Sequence, residues 1–434
     1  MMTAAWSALR GHVQALFAPA SNRLAAIDGV RALSQLAVML YHCFFLARIS
    51  GEPEQFRAMV QNTPWYLGWV WSLDYSVDAF FVISGYLIAT LLYREYNKSG
   101  SIDLKRFYWR RYLRLTPAYF AFILLVLAVS PAAHPTVWAN FFYVNNFIPL
   151  AEASIPWTWS LAVEEQFYLV FPALLLVMVM RAGQPFLRLC LLLGASLLCA
   201  FWVFYTDPLL WQVTPQQIYF DNATFNHYYD RFYVNLHTRF GPFVSGAMAA
   251  YLMVYHRATL ERVRQNTLLF NALNITAVAI LFYTLAFNPY RHDVSLAYSR
   301  WHLIADRNLF GIALGWVLLA TQGQAGLLHP LKQFLAWKGW YPIAQLSYTM
   351  YLFHYVVVLF VMANVMGNLQ HFGLLEDGKP FPYVWFIPAY LLVVILTLIP
   401  ATLLHVTVEK PFMNLRDRLS RAPVSAATPL ASKP

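Results

Sequence analysis

Long apolar runs recur along the whole chain, separated by short polar segments. Ten of them approach the length needed to cross a hydrocarbon core about 30 Å thick. They cover residues 28–48, 76–94, 114–130, 158–180, 187–205, 240–255, 267–287, 306–322, 343–366 and 384–406. None has the short alternating segments of a transmembrane β-barrel. The pattern predicts an all-α polytopic membrane protein with about ten transmembrane helices, forming one membrane domain over residues 28–412.

The flanks read differently. Arg10, His12 and Gln14 interrupt any apolar core that a signal peptide would need, so residues 1–27 read as a tail or an interfacial helix. Residues 413–434, ending in "PVSAATPLASKP", read as a disordered tail.

Composition agrees with a membrane class, at 59% hydrophobic, 17% aromatic and 12% charged residues. The net charge of +10 sharpens the picture through its location. With the N-terminus inside, 21 of the 30 Lys and Arg fall in inner segments, seven of them at 94–114. Seven fall in outer loops, Arg239 among them, and Arg31 and Arg307 at helix ends. That asymmetry places both termini in the cytoplasm, and the expected location is the plasma membrane, or the inner membrane of a Gram-negative cell. The basic charge then serves topology and anionic membrane lipids, and no nucleic-acid partner is expected. Cys43, Cys190 and Cys199 all lie in apolar spans and imply no disulfide framework.

Polar residues inside the spans carry the chemistry. The first span holds Arg31, Gln35, Val38 and His42 at i, i+4, i+7, i+11, which draw one stripe along a helix. His42 then sits about 16 Å beyond Arg31, near mid-bilayer. A charged side chain at a membrane centre costs about 2.5–3.5 kcal/mol, so such residues usually line a cavity or proton path. Arg31 alone is also compatible with snorkelling at the interface. In the ninth span Ser347, Tyr351 and His354 repeat the pattern, with His354 at the depth of His42. The two histidines are expected to face a common cavity, unless His354 is a structural histidine bonded to a neighbouring helix.

Glu164 and Glu165 enter the bilayer in the fourth span and point about 100° apart. One of them is a candidate to orient an imidazole. Asp78 reads as an exposed residue opening the second span. The loop "KRFYWRRYLRLTPAYF", 105–120, concentrates Arg106, Arg110, Arg111 and Arg114. These suit anionic headgroups or, as guanidinium forks, a phosphate clamp. No P-loop, dinucleotide fingerprint or metal-ligand spacing appears, so no metal is expected.

Six motifs in order resemble the acyltransferase-3 family of integral membrane acyltransferases. They are the Arg-x10-His helix, "DAFFVISGYLI", "RFYWRRYLRLTPAY", "WTWSLAVEEQFYLVFP", "SYTMYLFHYVV" and "VEKPF". "RFGPFVSGAMAAYL" at 239–252 is similar to the branch containing the nose-resistant-to-fluoxetine proteins.

The resemblance implies transfer of an acyl group, commonly acetyl, from acetyl-CoA or another acyl-CoA co-substrate to an acceptor hydroxyl. The acceptor would be a carbohydrate, most commonly at the cell surface, a lipid or a small molecule. It also implies donor binding by Arg31 and the arginines at 106–114, with catalysis by His42, Glu164 or Glu165, and His354. His42 as general base and His42 as acyl carrier both remain open. The rival class is a proton-coupled transporter using the same intramembrane His and Glu residues.

Overall fold

The computed structural model describes residues 2–19, 23–46, 48, 53–130, 134–181, 183–287, 289–291, 293–371 and 383–421. Among these residues the fold is entirely helical. The main helices are α1 (Met2–Ala15), α2 (Ala25–Phe45), α3 (Tyr75–Ser99), α4 (Leu104–Val129), α5 (Trp159–Leu174) and α6 (Pro185–Thr206). They continue with α7 (Gly241–Tyr255), α8 (Thr267–Ala286), α9 (Leu296–Thr321), α10 (Trp340–His371), α11 (Phe386–Leu404) and α12 (Lys410–Arg421).

Each of the ten expected spans falls on one of α2 to α11. Eight helical segments are long and apolar enough to cross a membrane, which makes this a polytopic membrane protein. The other two are α2, which carries Asp28, Arg31 and His42, and the 15-residue α7. Helix α7 is about 22 Å long by its rise, and ten of its fifteen residues are buried among its neighbours.

The tight core lies between α3 and α7. A Cβ on Gly85 would fall 2.0 Å from the Phe243 carbonyl oxygen, and one on Gly246 would fall 2.0 Å from that of Val82. Only glycine lets the two backbones approach so closely, the packing that replaces hydrophobic attraction inside a membrane. Above that contact Phe243 stacks between Phe81 and Phe167, with centroids 4.3 and 4.2 Å away. Helix α2 packs against α10, α3 and α11, so the Arg31–His42 stripe faces the inside of the bundle.

Several boundaries depart from the sequence reading. The basic segment is not a loop. Asp103 accepts from the Arg106 backbone N–H at 3.0 Å, an N-cap that starts α4 ten residues before the expected span. Helix α9 likewise begins at Leu296, which moves Arg307 from a helix end to a helix interior.

Part of the expected C-terminal tail is ordered as α12. There Phe412, Leu415 and Leu419 follow helical spacing, and the helix packs along α4. The "PVSAATPLASKP" segment lies outside the described residues. At the other end, α1 is the helix that the flank allowed. His12 joins it to the C-terminal region through the Val406 carbonyl at 3.0 Å and Asn414 at 3.2 Å.

Candidate active site

His42 and His354 meet in the centre of the bundle, with Nδ1 of His42 3.3 Å from Nε2 of His354. Two carbonyls determine how the rings are protonated. Nδ1 of His42 lies 2.8 Å from the Val38 oxygen, and Nδ1 of His354 lies 2.6 Å from the Tyr351 oxygen. A carbonyl only accepts, so both neutral rings carry their proton on Nδ1. Nε2 of His354 then accepts from His42, and Nε2 of His42 is left as the basic nitrogen.

The two rings do not share one cavity wall. His42 lines a cavity of about 660 Å³, whereas His354 is 0% exposed and sits behind it. The second ring therefore braces the first.

The His42 cavity is walled by aromatic residues from several distant segments, including Tyr41, Trp157, Trp159, Tyr229, Tyr233 and Tyr355. Asn222, Asn226 and Arg48 add polar groups, and Arg48 lies 4.0 Å over the Phe225 ring. Much of this wall comes from the connections at 145–157 and 207–235, short helical pieces that fold over the end of the bundle.

Arg31 lines a second, smaller cavity of about 100 Å³ together with Arg111, Arg114, Glu164, Tyr168 and Glu409. It donates to the Ser347 hydroxyl at 3.2 Å. Glu164 accepts from the hydroxyls of Ser84 and Tyr168. Glu165 points elsewhere, as adjacent helical residues must, and its Oε1 is buried without a hydrogen-bond partner.

Among the described residues, no hydrogen bond or ion pair joins either glutamate to an imidazole. The residue at the His42 ring is a second histidine, and Glu164 belongs with Arg31 instead. Glu409, from the "VEKPF" motif, reaches the same cavity because the chain widens into a π turn over His405–Glu409. It is held by His405 at 2.7 Å.

A third pocket of about 520 Å³ is lined by Arg94, Lys98, Arg106, Arg110, Arg111, Arg114 and Arg416. All four arginines expected to form a clamp therefore converge, joined by one from α12. Arg111 and Arg114 also belong to the Arg31 cavity, and Val77 and Tyr351 are common to the Arg31 and His42 cavities. The three spaces run in series from the basic end to the histidine pair. Tyr351 is fixed at the last partition, donating to the Trp157 carbonyl at 3.0 Å with the Ser160 hydroxyl at 2.6 Å. On the stripe between Arg31 and His42, Gln35 is fully buried and neither polar atom of its amide has a partner.

One cluster escaped sequence reasoning. Asp78 is not exposed: it and Arg239 are both 0% exposed and paired at 3.0 Å. Arg307 joins them, reaching Asp78 at 2.5 Å and Asp74 at 2.6 Å. Arg239 and Arg307 also lie 4.6 and 4.9 Å over the Tyr233 ring. The available signal was arithmetic: two aspartates one helical turn apart, and two arginines near apolar spans. Nothing in the linear order paired them. No cluster of three or more His, Cys, Asp or Glu suited to a metal occurs among the described residues.

A bundle of membrane-length helices enclosing a histidine pair at the end of a basic-lined series of cavities defines an integral membrane protein with an internal site. The family model for the acyltransferase domain, acyltransferase-3, matches residues 24–406, and the chain belongs to that family. It is 29% identical over 364 residues to the peptidoglycan O-acetyltransferase OatA of Listeria monocytogenes, covering 77% of this chain and 49% of that protein. It is 27% identical over 359 residues to the O-acetyltransferase OatA of Staphylococcus aureus, covering 78% and 51%. The chain thus spans about half the length of these curated relatives. No solved structure matches it.

Proposed function

We propose that the protein is a plasma-membrane O-acyltransferase that moves an acetyl group from cytosolic acetyl-CoA to a hydroxyl of a cell-surface carbohydrate. The observation that carries this reading is the series of three cavities, basic at one end and ending at His42. CoA is a polyanion with a long thin arm. Its phosphates suit the Arg106, Arg110, Arg111 and Arg114 pocket, its arm the narrow Arg31 cavity, and its thioester the far side of Tyr351. Family membership and the O-acetyltransferase activity of the OatA relatives support the same chemistry. Aromatic walls around His42 suit the apolar faces of sugar rings. The positive-inside asymmetry supports a cytoplasmic side for the basic pocket and both termini.

In this reading Nε2 of His42 takes the proton of the acceptor hydroxyl as its oxygen attacks the thioester carbonyl carbon. The C–S bond then breaks, and the imidazolium returns its proton to the departing thiolate. The products are an ester and free CoA. The Val38 carbonyl and His354 Nε2 both accept from Nδ1, so they orient the ring and stabilise the imidazolium. Attack by Nε2 itself, giving an acyl-histidine that the hydroxyl then cleaves, balances equally.

The test is CoA release from acetyl-CoA by purified protein in nanodiscs, supplied with a cell-wall glycan digest, beside His42→Ala. Release that depends on both the digest and His42 is expected. Folded protein that neither binds acetyl-CoA nor releases CoA would overturn the reading and return the transporter class to the front.

A further inference from the structure

The Asp/Arg cluster forms part of the wall of the His42 cavity, and the mechanism above makes no use of it. Asp78 and Arg239 are its sealed half. Asp74 and Arg307 are the half that lines the cavity. Arg307 spends one nitrogen on each aspartate, which holds the Asp74 carboxylate in one orientation. Oδ2 of Asp74 receives that bond at 2.6 Å, and the Tyr233 hydroxyl lies 3.4 Å from the same oxygen.

Oδ1 of Asp74 is different. It is buried and has no hydrogen-bond partner, on a residue only 6% exposed. Buried polar atoms in native proteins are almost always bonded, so an orphan of this kind calls for an explanation. Two arginines against two aspartates leave the cluster formally neutral, so it has no need of a counter-ion. What Oδ1 lacks is a donor.

We propose that Oδ1 of Asp74 accepts a hydrogen bond from a hydroxyl or amide N–H of the glycan acceptor, making Asp74 a binding residue that orients the sugar before His42. The inference rests on the reading of this cavity as the acceptor chamber. The division of labour follows from sugar chemistry. A pyranose ring presents C–H groups on its faces and hydroxyls on its rim. Trp157, Trp159 and Tyr229 offer rings to a face, and Asp74 offers an acceptor to the rim. An N-acetylated sugar adds an amide donor that the same oxygen can take.

The test titrates an N-acetylglucosamine tetrasaccharide into the nanodisc-held protein by calorimetry, without acetyl-CoA. Wild type is expected to bind it, and Asp74→Asn to bind it at least tenfold more weakly while staying monodisperse on gel filtration. Equal affinity in Asp74→Asn would overturn the proposal, and so would a wild type that does not bind the tetrasaccharide.

Should Asp74→Asn fail to fold, Asp74→Glu keeps the charge for Arg307 but moves the oxygens by one methylene. A several-fold loss of affinity is then expected, and an unchanged affinity again overturns the proposal. CoA release is scored separately. Release that proceeds with wild-type acceptor KM in Asp74→Asn sinks the contact and leaves the enzyme. Absent release with intact saccharide binding sinks the enzyme reading and leaves the contact.

Discussion

The cavity around Arg31 and the cavity around His42 share Val77 and Tyr351, yet their linings differ in chemistry. The first is narrow, draws three arginines from α2 and α4, and sets Glu164 and Glu409 against them. The second is several times larger, is rich in tyrosine and tryptophan, and holds its carboxylate already paired with Arg307. Clustered guanidinium forks suit a ligand that brings its own negative charge. Aromatic faces with a few fixed polar groups suit an uncharged, hydroxylated one. Val77 and Tyr351 stand where the two meet, and His42 lines the second cavity beside Tyr351.

The comparison can be broken at that meeting point first. His42→Ala should lower transfer by about 10²–10⁴-fold, the range for loss of a positioned general base or acid. Binding of acetyl-CoA and of saccharide should change little, since His42 is one of many residues lining the larger cavity and none of those lining the Arg31 cavity. An equal loss of donor binding would mean that the two cavities are one site.

The next largest effect is on stability. Asp78→Asn should cost about 3–5 kcal/mol, because it strips a fully buried partner from Arg239 and weakens the hold on Arg307. A fall in the unfolding midpoint in detergent would register it. The double change Asp78→Leu with Arg239→Leu should cost less than its two single changes together.

Gly246→Ala acts on both cavities together, because α3 contributes to the walls of each. The added methyl must push the α3 backbone away, at a cost of about 1–3 kcal/mol. Donor and acceptor KM should rise in parallel. A rise in only one would show that α3 yields at one end alone.

The mildest change separates the halves. Arg114→Gln should raise the acetyl-CoA KM about tenfold, the worth of one charge-assisted bond. Acceptor KM should stay as it was, and high salt should blunt the difference. Parallel rises in both would place Arg114 in the scaffold instead of the donor site.

How much of this was legible beforehand varies by element. The stripe from Arg31 to His42 and the repeat at Ser347, Tyr351 and His354 were visible because a helix carries its own periodicity. Their meeting was only half visible. Equal depth suggested a common cavity, but not that His354 would lie behind His42 with its Nε2 against the other ring. Chemistry alone makes one of the glutamates a candidate for an imidazole, whereas packing puts Glu164 beside Ser84, Tyr168 and the Arg31 cavity. The basic loop proved to be the opening of α4, since a capping aspartate at position 103 weighs more than a run of charge. Asp78 and Arg239 looked solvent-facing because charged residues usually are.

The sequence by itself determined the class, where the apolar runs fall and the two histidine stripes, because hydrophobic length and helical spacing are local properties of the chain. Only the tertiary structure decided which polar residues share a wall. Arg31 meets Ser347 and Asp78 meets Arg239 across 316 and 161 residues of chain. Pairing at such separations is set by which helices can pack, and for Asp78 and Arg239 the close approach of α3 and α7 at Gly85 and Gly246 brings the two segments together.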